Sequence, residues 1–347
     1  FFFQAEDGIR DSVASRGLGD VYERQPINES LKDEERVVYD KYNHIRNEIN
    51  SFVNNEKAFL LSKASDYAEI TYSDAASKSK YSFFKNSEGS IAFSEDSDGK
   101  TLIDFSILTV VPIKQSADLK HTYFTQLNAM SVEQFQDRRI GTNIGFGYRN
   151  YNNEQNLVLG VNSFYDYEFS SDHYRIGFGG ELKKGLLDLN LNYYEALSGS
   201  KEIKINNING NEKALDGFDL EIGHPLPYLP WTKLFIAYSK FNGHLGEDPT
   251  SIRYSSEIYL NKNIVAEAGY NDDRQSDGID QNYWFVKVSI TSTDRNRPTL
   301  FGPEGQLYSK QAFGQRNVKT TLLDKVRRQN KITVERSQSG SFQVGGN

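Results

Sequence analysis

Apolar and polar residues alternate with a period of two along most of the chain from residue 89 onwards. In a β-strand successive side chains point to opposite faces, so this period predicts strands that have one apolar and one polar face. Segment 139–149 is the clearest example. Its outward series is Ile140, Thr142, Ile144, Phe146 and Tyr148, and its inward series is Gly141, Asn143, Gly145, Gly147 and Arg149.

Twelve segments with this pattern can be counted, and the number is even, as in bacterial single-chain barrels. Most of them reach the length of about 9–11 residues that a tilted strand needs to cross a bilayer. Strands of soluble sandwiches are usually shorter, at about 5–6 residues. We therefore predict an all-β fold, a twelve-stranded antiparallel transmembrane β-barrel over residues 88–292. The predicted strands are 90–95, 102–113, 122–132, 139–149, 157–169, 174–182, 186–197, 214–223, 232–241, 252–260, 264–271 and 283–291.

The second face of these strands carries Gly, Asn, Arg, Asp and Glu, which do not suit a packed apolar core. Charged groups on an inward face must meet water or one another. This face therefore predicts a polar lumen. The side chains expected to face the lumen, or to contact a chain inside it, are Arg149, Asn162, Asp166, Glu168, Glu181, Asp219, Glu221, Glu257 and Glu267.

The predicted connections differ in length. Those after strands 2, 4, 6, 8 and 10 are short, and those after strands 7, 9 and 11 are longer, including a loop over 198–213. Outer-membrane barrels have short periplasmic turns and longer extracellular loops. The asymmetry predicts that the barrel begins and ends on the periplasmic side, although the short connection after strand 5 departs from it.

Composition restricts the classes of function that can be expected of the chain. The 347 residues carry a net charge of −7, no Cys, 21 Tyr and 22 Phe. Many of these aromatic residues lie near the ends of the alternating segments, as interfacial girdles do. No run of about 18–20 apolar residues is present, which excludes transmembrane helices. The charge does not favour nucleic acid as a partner. Since the five His are scattered and no carboxylate pair stands out, we expect no metal site, no cofactor, no catalytic residue and no enzymatic activity.

The sequence before the barrel has a different character. Residues 1–25 contain QAEDGIRD at 4–11 and DVYERQ at 20–25, which resemble translated sequencing-adapter ends. We expect this segment to be non-native, and it is left out of the fold prediction. Residues 26–87 include apolar positions at intervals of three and four, which predict a partly helical periplasmic segment before the barrel.

Three motifs around the fourth to sixth strands are highly specific. They are RRIGTNIGFGYRNY at 138–151, NLVLGVNSFYDYEF at 156–169 and HYRIGFGGEL at 173–182. These motifs resemble the β-barrel of the inverse autotransporter (intimin/invasin) family, and the resemblance covers about residues 60–336. It implies a type Ve secretion protein, in which a linker runs from the last strand back through the pore. A C-terminal adhesin or invasin-type passenger is then displayed at the cell surface and serves cell adhesion and virulence.

The resemblance also implies a role for the sequence after the barrel. LLDKVRRQNKITVER at 322–336 is similar to the linker of the family, so residues 293–336 are expected to thread the pore and 337–347 to begin the exported region. The residues 322–328 are predicted to form a short helix. We hypothesise that Lys325, Arg327 and Arg328 pair with wall carboxylates, with solvated linker charges as the alternative. The pore-linker candidates are Leu322, Leu323, Lys325, Val326, Arg327 and Arg328.

The function expected from the sequence is that of a translocator and anchor in the bacterial outer membrane. Its expected partners are outer-membrane lipid, the barrel assembly machinery and periplasmic chaperones, with a host-cell receptor bound only through a passenger beyond Asn347. Two alternatives stay open, a porin-like channel without a passenger and a soluble all-β carbohydrate-binding domain. Conductance separates the translocator from the porin, and membrane extraction separates both from the soluble domain.

Overall fold

The computed structural model describes residues 85–95, 100–135, 137–205, 208–244, 248–274, 282–293, 297–301, 307–338 and 341–345. All of them belong to the unit Leu61–Asn347. The predicted non-native segment 1–25 and the predicted helical segment up to residue 84 lie outside the described residues. Within the described ranges, no helix is long and apolar enough to cross a membrane.

The described part of the chain is built from sixteen β-strands. In chain order they are β1 Ser87–Glu95, β2 Thr101–Gln115, β3 His121–Gln134, β4 Asp137–Asn152, β5 Leu157–Glu168, β6 His173–Lys184, β7 Leu187–Ala196, β8 Lys201–Ile205, β9 Ile208–Ala214, β10 Gly217–Leu226, β11 Leu229–Phe241, β12 Thr250–Tyr259, β13 Ile264–Arg274, β14 Tyr283–Thr291, β15 Val334–Gln338 and β16 Ser341–Gly345.

Twelve of these strands close into one barrel, in the order β1 to β7, β10 to β14 and back to β1. The closing strands β1 and β14 are antiparallel and pair from Glu88 opposite Thr291 to Ser94 opposite Phe285. Closure pairs the backbone groups that an open sheet edge would leave exposed. The twelve-stranded antiparallel barrel predicted from the sequence is confirmed.

The two faces of the strands differ as the alternating pattern predicts. On β4, Ile144 and Phe146 point outward and are 42% and 61% exposed, whereas Asn143, next to Ile144, points inward and is fully buried. Exposed apolar side chains in alternate positions suit contact with lipid. The inward face carries buried charges, such as Asp166 on β5, which must find partners inside the lumen.

A second sheet is formed by β8, β9, β15 and β16, in the order β16-β15-β9-β8. Strands β8 and β9 form a hairpin inside the connection between β7 and β10, which pair directly with each other. The sequence prediction treated 198–213 as a loop and ended the strands at residue 291, so it missed this sheet. The hairpin KEIKI–INGNEKA is short and polar, and its second strand, β9, pairs with a segment more than a hundred residues away in sequence.

The two ends of the barrel differ in their connections. Ser292 N donates a hydrogen bond to Ser87 O at 2.9 Å, so the barrel begins and ends at one rim. The turns after β2, β4, β6, β10 and β12 lie at this rim, as the antiparallel strand order requires. At the opposite rim only the connections after β7, β11 and β13 are long. The predicted length asymmetry is therefore carried by the second half of the barrel.

A cation introduced on the outward face of β4 should destabilise the barrel by an amount that depends on its depth in the lipid. We expect Ile144→Arg, at the middle of the strand, to lower the free energy of unfolding by about 2–4 kcal/mol in lipid vesicles. The matched variant Ile140→Arg, on the same face near the strand end, is expected to cost about 1 kcal/mol or less. Urea titration followed by heat-modifiable gel migration measures both values. Equal costs at the two positions would contradict a membrane-spanning orientation of β4.

Candidate functional site

After β14 the chain follows the rim at which the barrel begins and ends. Its hydrogen bonds reach, in sequence, the end of β12 and the turns β10–β11, β6–β7 and β4–β5. We call residues 297–301 and 307–316 the rim segment, and residues 317–338 the linker. The rim-segment contacts join Leu300 to Tyr259, Ala312 to Tyr228, and Arg316 to both Gly185 and Asn156.

The linker enters the lumen beside β4 and β5. A 3₁₀ helix, Val318–Thr321, begins here, and Asn156 Oδ1 accepts a hydrogen bond from the amide N–H of Val318 at 2.9 Å. A buried apolar cluster then fixes the entering chain, because burial of each such side chain contributes roughly 1.5–3 kcal/mol. The cluster consists of Tyr151, Val158, Val318 and Leu322.

Arg149 of β4 holds the linker backbone just inside this mouth. Its guanidinium donates to the carbonyl oxygens of Leu322 at 2.9 Å and Asp324 at 2.8 Å. The carboxylate of Glu181 on β6 accepts two more hydrogen bonds from the same guanidinium, both at 2.9 Å. Because Arg149 is fully buried, this arrangement satisfies both its charge and two backbone carbonyls of the linker.

Arg327 reaches the opposite wall, where three carboxylates surround it. Its guanidinium lies 2.5 Å from Glu221 of β10, 2.6 Å from Glu257 of β12 and 3.3 Å from Glu267 of β13. It also lies 3.6 Å above the ring of Phe235. Paired ions of this kind offset the cost of taking each charge out of water.

Arg328 points back to the side of the barrel formed by β4 to β6. There it binds Asp166 of β5 through two hydrogen bonds, of 2.8 and 2.6 Å. Arg175 of β6 donates to the same carboxylate at 2.7 Å and to the carbonyl oxygen of Gln329 at 2.6 Å. The ring of Phe164 lies 4.2 Å from the Arg328 guanidinium. Asp166 therefore joins one arginine of the wall to one of the linker.

Two inward-facing glycines make room for these groups. A Cβ at Gly145 would lie 2.2 Å from the ring of Phe164, and a Cβ at Gly177 would lie 3.1 Å from Nη2 of Arg328. Any larger residue would displace the aromatic ring or the guanidinium. Gly145 thus leaves room for the wall ring that lies against Arg328, and Gly177 leaves room for the Arg328 guanidinium itself.

Lys325 and Val326 lie between these arginine contacts and reach two further parts of the wall. Lys325 Nζ lies 2.6 Å from Glu88 of β1, and the amide N–H of Val326 donates to Gln126 Oε1 of β3 at 2.7 Å. The Val326 side chain completes an apolar cluster. Its other members are Leu108, Val110, Phe124 and Phe164, with Leu323 packed against it.

The short helix predicted for residues 322–328 is wrong, since the only helical turn in this part of the described chain is Val318–Thr321. An α-helix aims residues three or four apart at one wall. Here consecutive residues contact different walls, and side chains such as Arg149 and Gln126 bind the backbone groups that a helix would pair internally.

At the far end of the lumen the linker meets β9. The fully buried Glu212 accepts hydrogen bonds from Arg139 of β4 at 2.5 Å and from Arg336 at 2.6 Å, and its carboxylate lies 3.1 Å from His173 Nε2. Burial alone would raise the pKa of the Glu212 carboxyl, but the contacts with His173, Arg139 and Arg336 hold that pKa well below its ordinary value. Glu212 is thus an anion shared by hairpin, wall and linker.

Residues 40–330 match the protein family described as "Inverse autotransporter, beta-domain". The chain belongs to this family. The barrel is accordingly an outer-membrane barrel, and its outward face contacts outer-membrane lipid.

Relatives of this inverse autotransporter β-domain include an intimin and an invasin. Intimin of Escherichia coli O127:H6 is 32% identical over 110 residues, which make up 32% of this chain and 11% of intimin. Invasin of Yersinia enterocolitica is 28% identical over 181 residues, which make up 52% of this chain and 20% of invasin. The matched segments span between 11% and 36% of the lengths of the curated relatives.

Among solved structures, one described as "Unveiling the Mechanism Behind the in-meso Crystallization of Membrane Proteins" shares the fold. It superposes with a TM-score of 0.55 at 20% sequence identity, covering 72% of this chain and 100% of that chain. At this sequence identity the likeness concerns the fold alone.

The nine predicted lumen residues of the inverse autotransporter β-domain divide into two groups. Those in contact with the linker are Arg149, Asp166, Glu221, Glu257 and Glu267. The remaining four face the lumen without such a contact among the described residues. Glu168 pairs with Arg139, Glu181 with Arg149, and Asp219 with Tyr194 and Asn192, while Asn162 has no side-chain hydrogen bond within the described part.

Among the residues of the site that escaped the sequence prediction are Gln126, Arg175, Glu88 and Glu212. Gln126 lies on the inward face of β3 and could have been found from strand alternation alone. Arg175 lies on the inward face of β6 and could have been found in the same way. Glu88 stands at the first residue of the predicted barrel. Glu212 carried no signal, since its segment was treated as a loop.

The shared carboxylate of Asp166 gives a direct test of the lumenal network. Asp166→Asn leaves Arg175 and Arg328 without a counter-ion, and we expect it to lower the free energy of unfolding by roughly 3–5 kcal/mol. The matched control is Asp248→Asn, which breaks the exposed ion pair with Lys240 (2.9 Å) and is expected to cost less than about 1 kcal/mol. Chemical denaturation of the purified barrel compares them, and similar costs would count against a tightly paired lumen.

Proposed function

We propose that this chain is the membrane anchor and translocator through which a C-terminal adhesin-type passenger is exported and displayed. The observation that carries the proposal is the series of contacts that residues between 316 and 336 make with the barrel. They begin at the turn-side rim, continue along inward-facing side chains and end at the hairpin on the opposite rim. A chain held in this way has its C-terminal end on the side of the long loops.

Physical chemistry supports this route for a polar chain. A peptide in hydrocarbon must have every backbone hydrogen-bonding group satisfied, which an extended segment cannot do alone. The wall supplies the missing partners through Arg149, Gln126 and Asn192, the last of which donates to the carbonyl oxygen of Arg327 at 3.0 Å. The barrel thus offers a polar passage in place of lipid.

The proposed orientation follows from the barrel ends. The rim with the short turns faces the periplasm, and the rim with the long connections and the β8–β9 hairpin faces outward. On this proposal the barrel assembly machinery and periplasmic chaperones deliver and insert the barrel. A host-cell receptor is contacted only through the passenger, and the barrel has no catalytic role and hydrolyses no nucleotide.

A porin-like channel is the alternative expected from the sequence. The contacts of Arg327 and Arg328 weigh against it, because an open pore would not be occupied by apolar and charged side chains from the chain's own linker. No observation on the described residues favours an open channel or a soluble carbohydrate-binding domain.

Conductance tests the occupied lumen. We expect the native protein to be nearly closed in planar bilayers and the double variant Arg327→Gln/Arg328→Gln to raise the open probability at least about tenfold, since each 1.4 kcal/mol of lost pairing is a factor of ten. The control Lys310→Gln/Lys319→Gln removes two exposed cations of the rim segment and linker and should stay closed. Native and doubly substituted barrels of equal conductance would refute the plug.

Surface display tests export itself. We expect an epitope added after Asn347 to bind antibody on intact cells and to be removed by external protease while the barrel stays in the outer membrane. The control epitope is inserted in the periplasmic turn after β6, at Gly185, and should be detected only after the outer membrane is opened. Detection of the C-terminal epitope only in opened cells would overturn the proposed function.

A further inference from the structure

The exit of the linker is marked by strand addition. Strand β15 pairs with β9 of the hairpin in one antiparallel register, in which Val334 lies opposite Ala214, Arg336 opposite Glu212, and Ser337 opposite Asn211. We propose that the β8–β9 hairpin is a docking site for the emerging strand, and that the pairing of Glu212 with Arg336 fixes the register at which the linker stops. The inference rests on the proposed function, since it concerns the end point of export.

Backbone pairing alone does not define that end point. Any extended segment can add to the free edge of β9 through main-chain hydrogen bonds. A slip by one residue would turn every side chain of β15 to the other face, and a slip by two would keep the faces but change every partner. Side chains must therefore select the stopping position.

Glu212 is suited to this selection. Its fully buried carboxylate also contacts Arg139 and His173. Arg139 in turn forms an ion pair with Glu168 at 2.5 Å. A buried anion of this kind requires a correctly placed cation. Of the positions that β15 can present to Glu212 in steps of two, Val334, Arg336 and Gln338, only Arg336 is a cation.

The other contacts of the exit strand agree with one stopping position. Val334, two residues before the arginine and on the same face, is fully buried and packs with Ile332 and Ala214. On the opposite face, Glu335 accepts a hydrogen bond from the amide N–H of His244 in the connection after β11 at 3.0 Å. A one-residue slip would exchange these two environments and bury Glu335 where Val334 now packs.

The hairpin is bonded to the barrel, so the register of β15 on β9 also sets the position of the linker relative to the barrel wall. Glu212 of β9 is tied to Arg139 of β4, and Phe135, at the end of β3, lies under the guanidinium of Arg336 at 4.2 Å. The backbone of Leu215, just after β9, donates to the carbonyl oxygen of Thr333 at 2.9 Å. A position fixed on β9 is therefore a position fixed relative to the lumen.

Disulfide formation reads the register, because the chain has no Cys of its own. Asn211→Cys/Ser337→Cys reports the observed register, in which these residues are opposite. Lys213→Cys/Ser337→Cys reports a register shifted by two residues. Opposed positions fall within the Cα separation that a disulfide spans, about 4.4–6.8 Å, and positions two residues off do not.

The deciding variant moves the cation. In Arg336→Gln/Gln338→Arg the arginine stands two residues later, so pairing with Glu212 draws the strand back by two residues and leaves slack between Arg328 and β15. We expect the native register to give at least about ten times more disulfide from the first cysteine pair than from the second, and the moved arginine to reverse this preference. Arg336→Lys should keep the native preference.

Two results would overturn the proposal. One is that the moved arginine leaves the Asn211/Ser337 disulfide dominant in protein whose heat-modifiable migration shows a folded barrel. The second applies if that variant does not fold. In that case Arg336→Gln is measured alone, and the proposal fails if this variant prefers the Asn211/Ser337 disulfide as strongly as the native protein does. Disulfides are measured on purified protein, so a failed display of the epitope after Asn347 leaves this test standing, and a failed register test leaves export standing.

Discussion

Mutual neutralisation of charges inside the barrel is the interaction on which the rest of this structure depends. The lumen holds arginines and carboxylates that are almost wholly removed from water, and each would be costly alone. Arg327 is surrounded by three carboxylates of the wall, and Asp166 is held between Arg175 and Arg328. The inward face of the strands can be polar only because these groups meet one another. That polarity in turn gives the strands their period of two.

The same requirement explains the shape of the linker. A helix would present one side to one wall and pair its backbone internally, leaving opposite wall charges unmatched. The extended chain sends Lys325 to β1, Arg327 to β10 and Arg328 to β5, and its backbone groups bind wall side chains. Glycines at the inward positions of β4 and β6 give the approach its space. Charge pairing, backbone satisfaction and close packing are thus one arrangement.

Sequence alone could predict the parts that depend on local periodicity. The twelve barrel strands and the inward direction of Asp166 or Glu221 follow from alternation, because a one-residue change of phase would place these charges in lipid. The hairpin that contains Glu212 could not be found in this way. Its strands are short and polar, and β9 owes half of its pairing to residues 334–337. The path of residues 322–328 was equally hidden, since it is decided by wall groups distant in sequence rather than by the helical spacing of the segment itself.

Under the proposed export, a tightly paired linker must also be compatible with passage through the barrel, and ion pairs within the wall make it so. Asp166 has Arg175 as a partner on the adjacent strand, without any residue of the linker. Glu221 has Arg253, and Glu181 has Arg149, each as a partner two strands away. The linker cations join these existing pairs rather than creating the first neutralisation. A moving chain therefore exchanges one set of partners for another, and the lumen does not expose an isolated buried charge at each step. Strong binding of the final segment follows when Arg327, Arg328 and Arg336 all meet their carboxylates in one position of the chain.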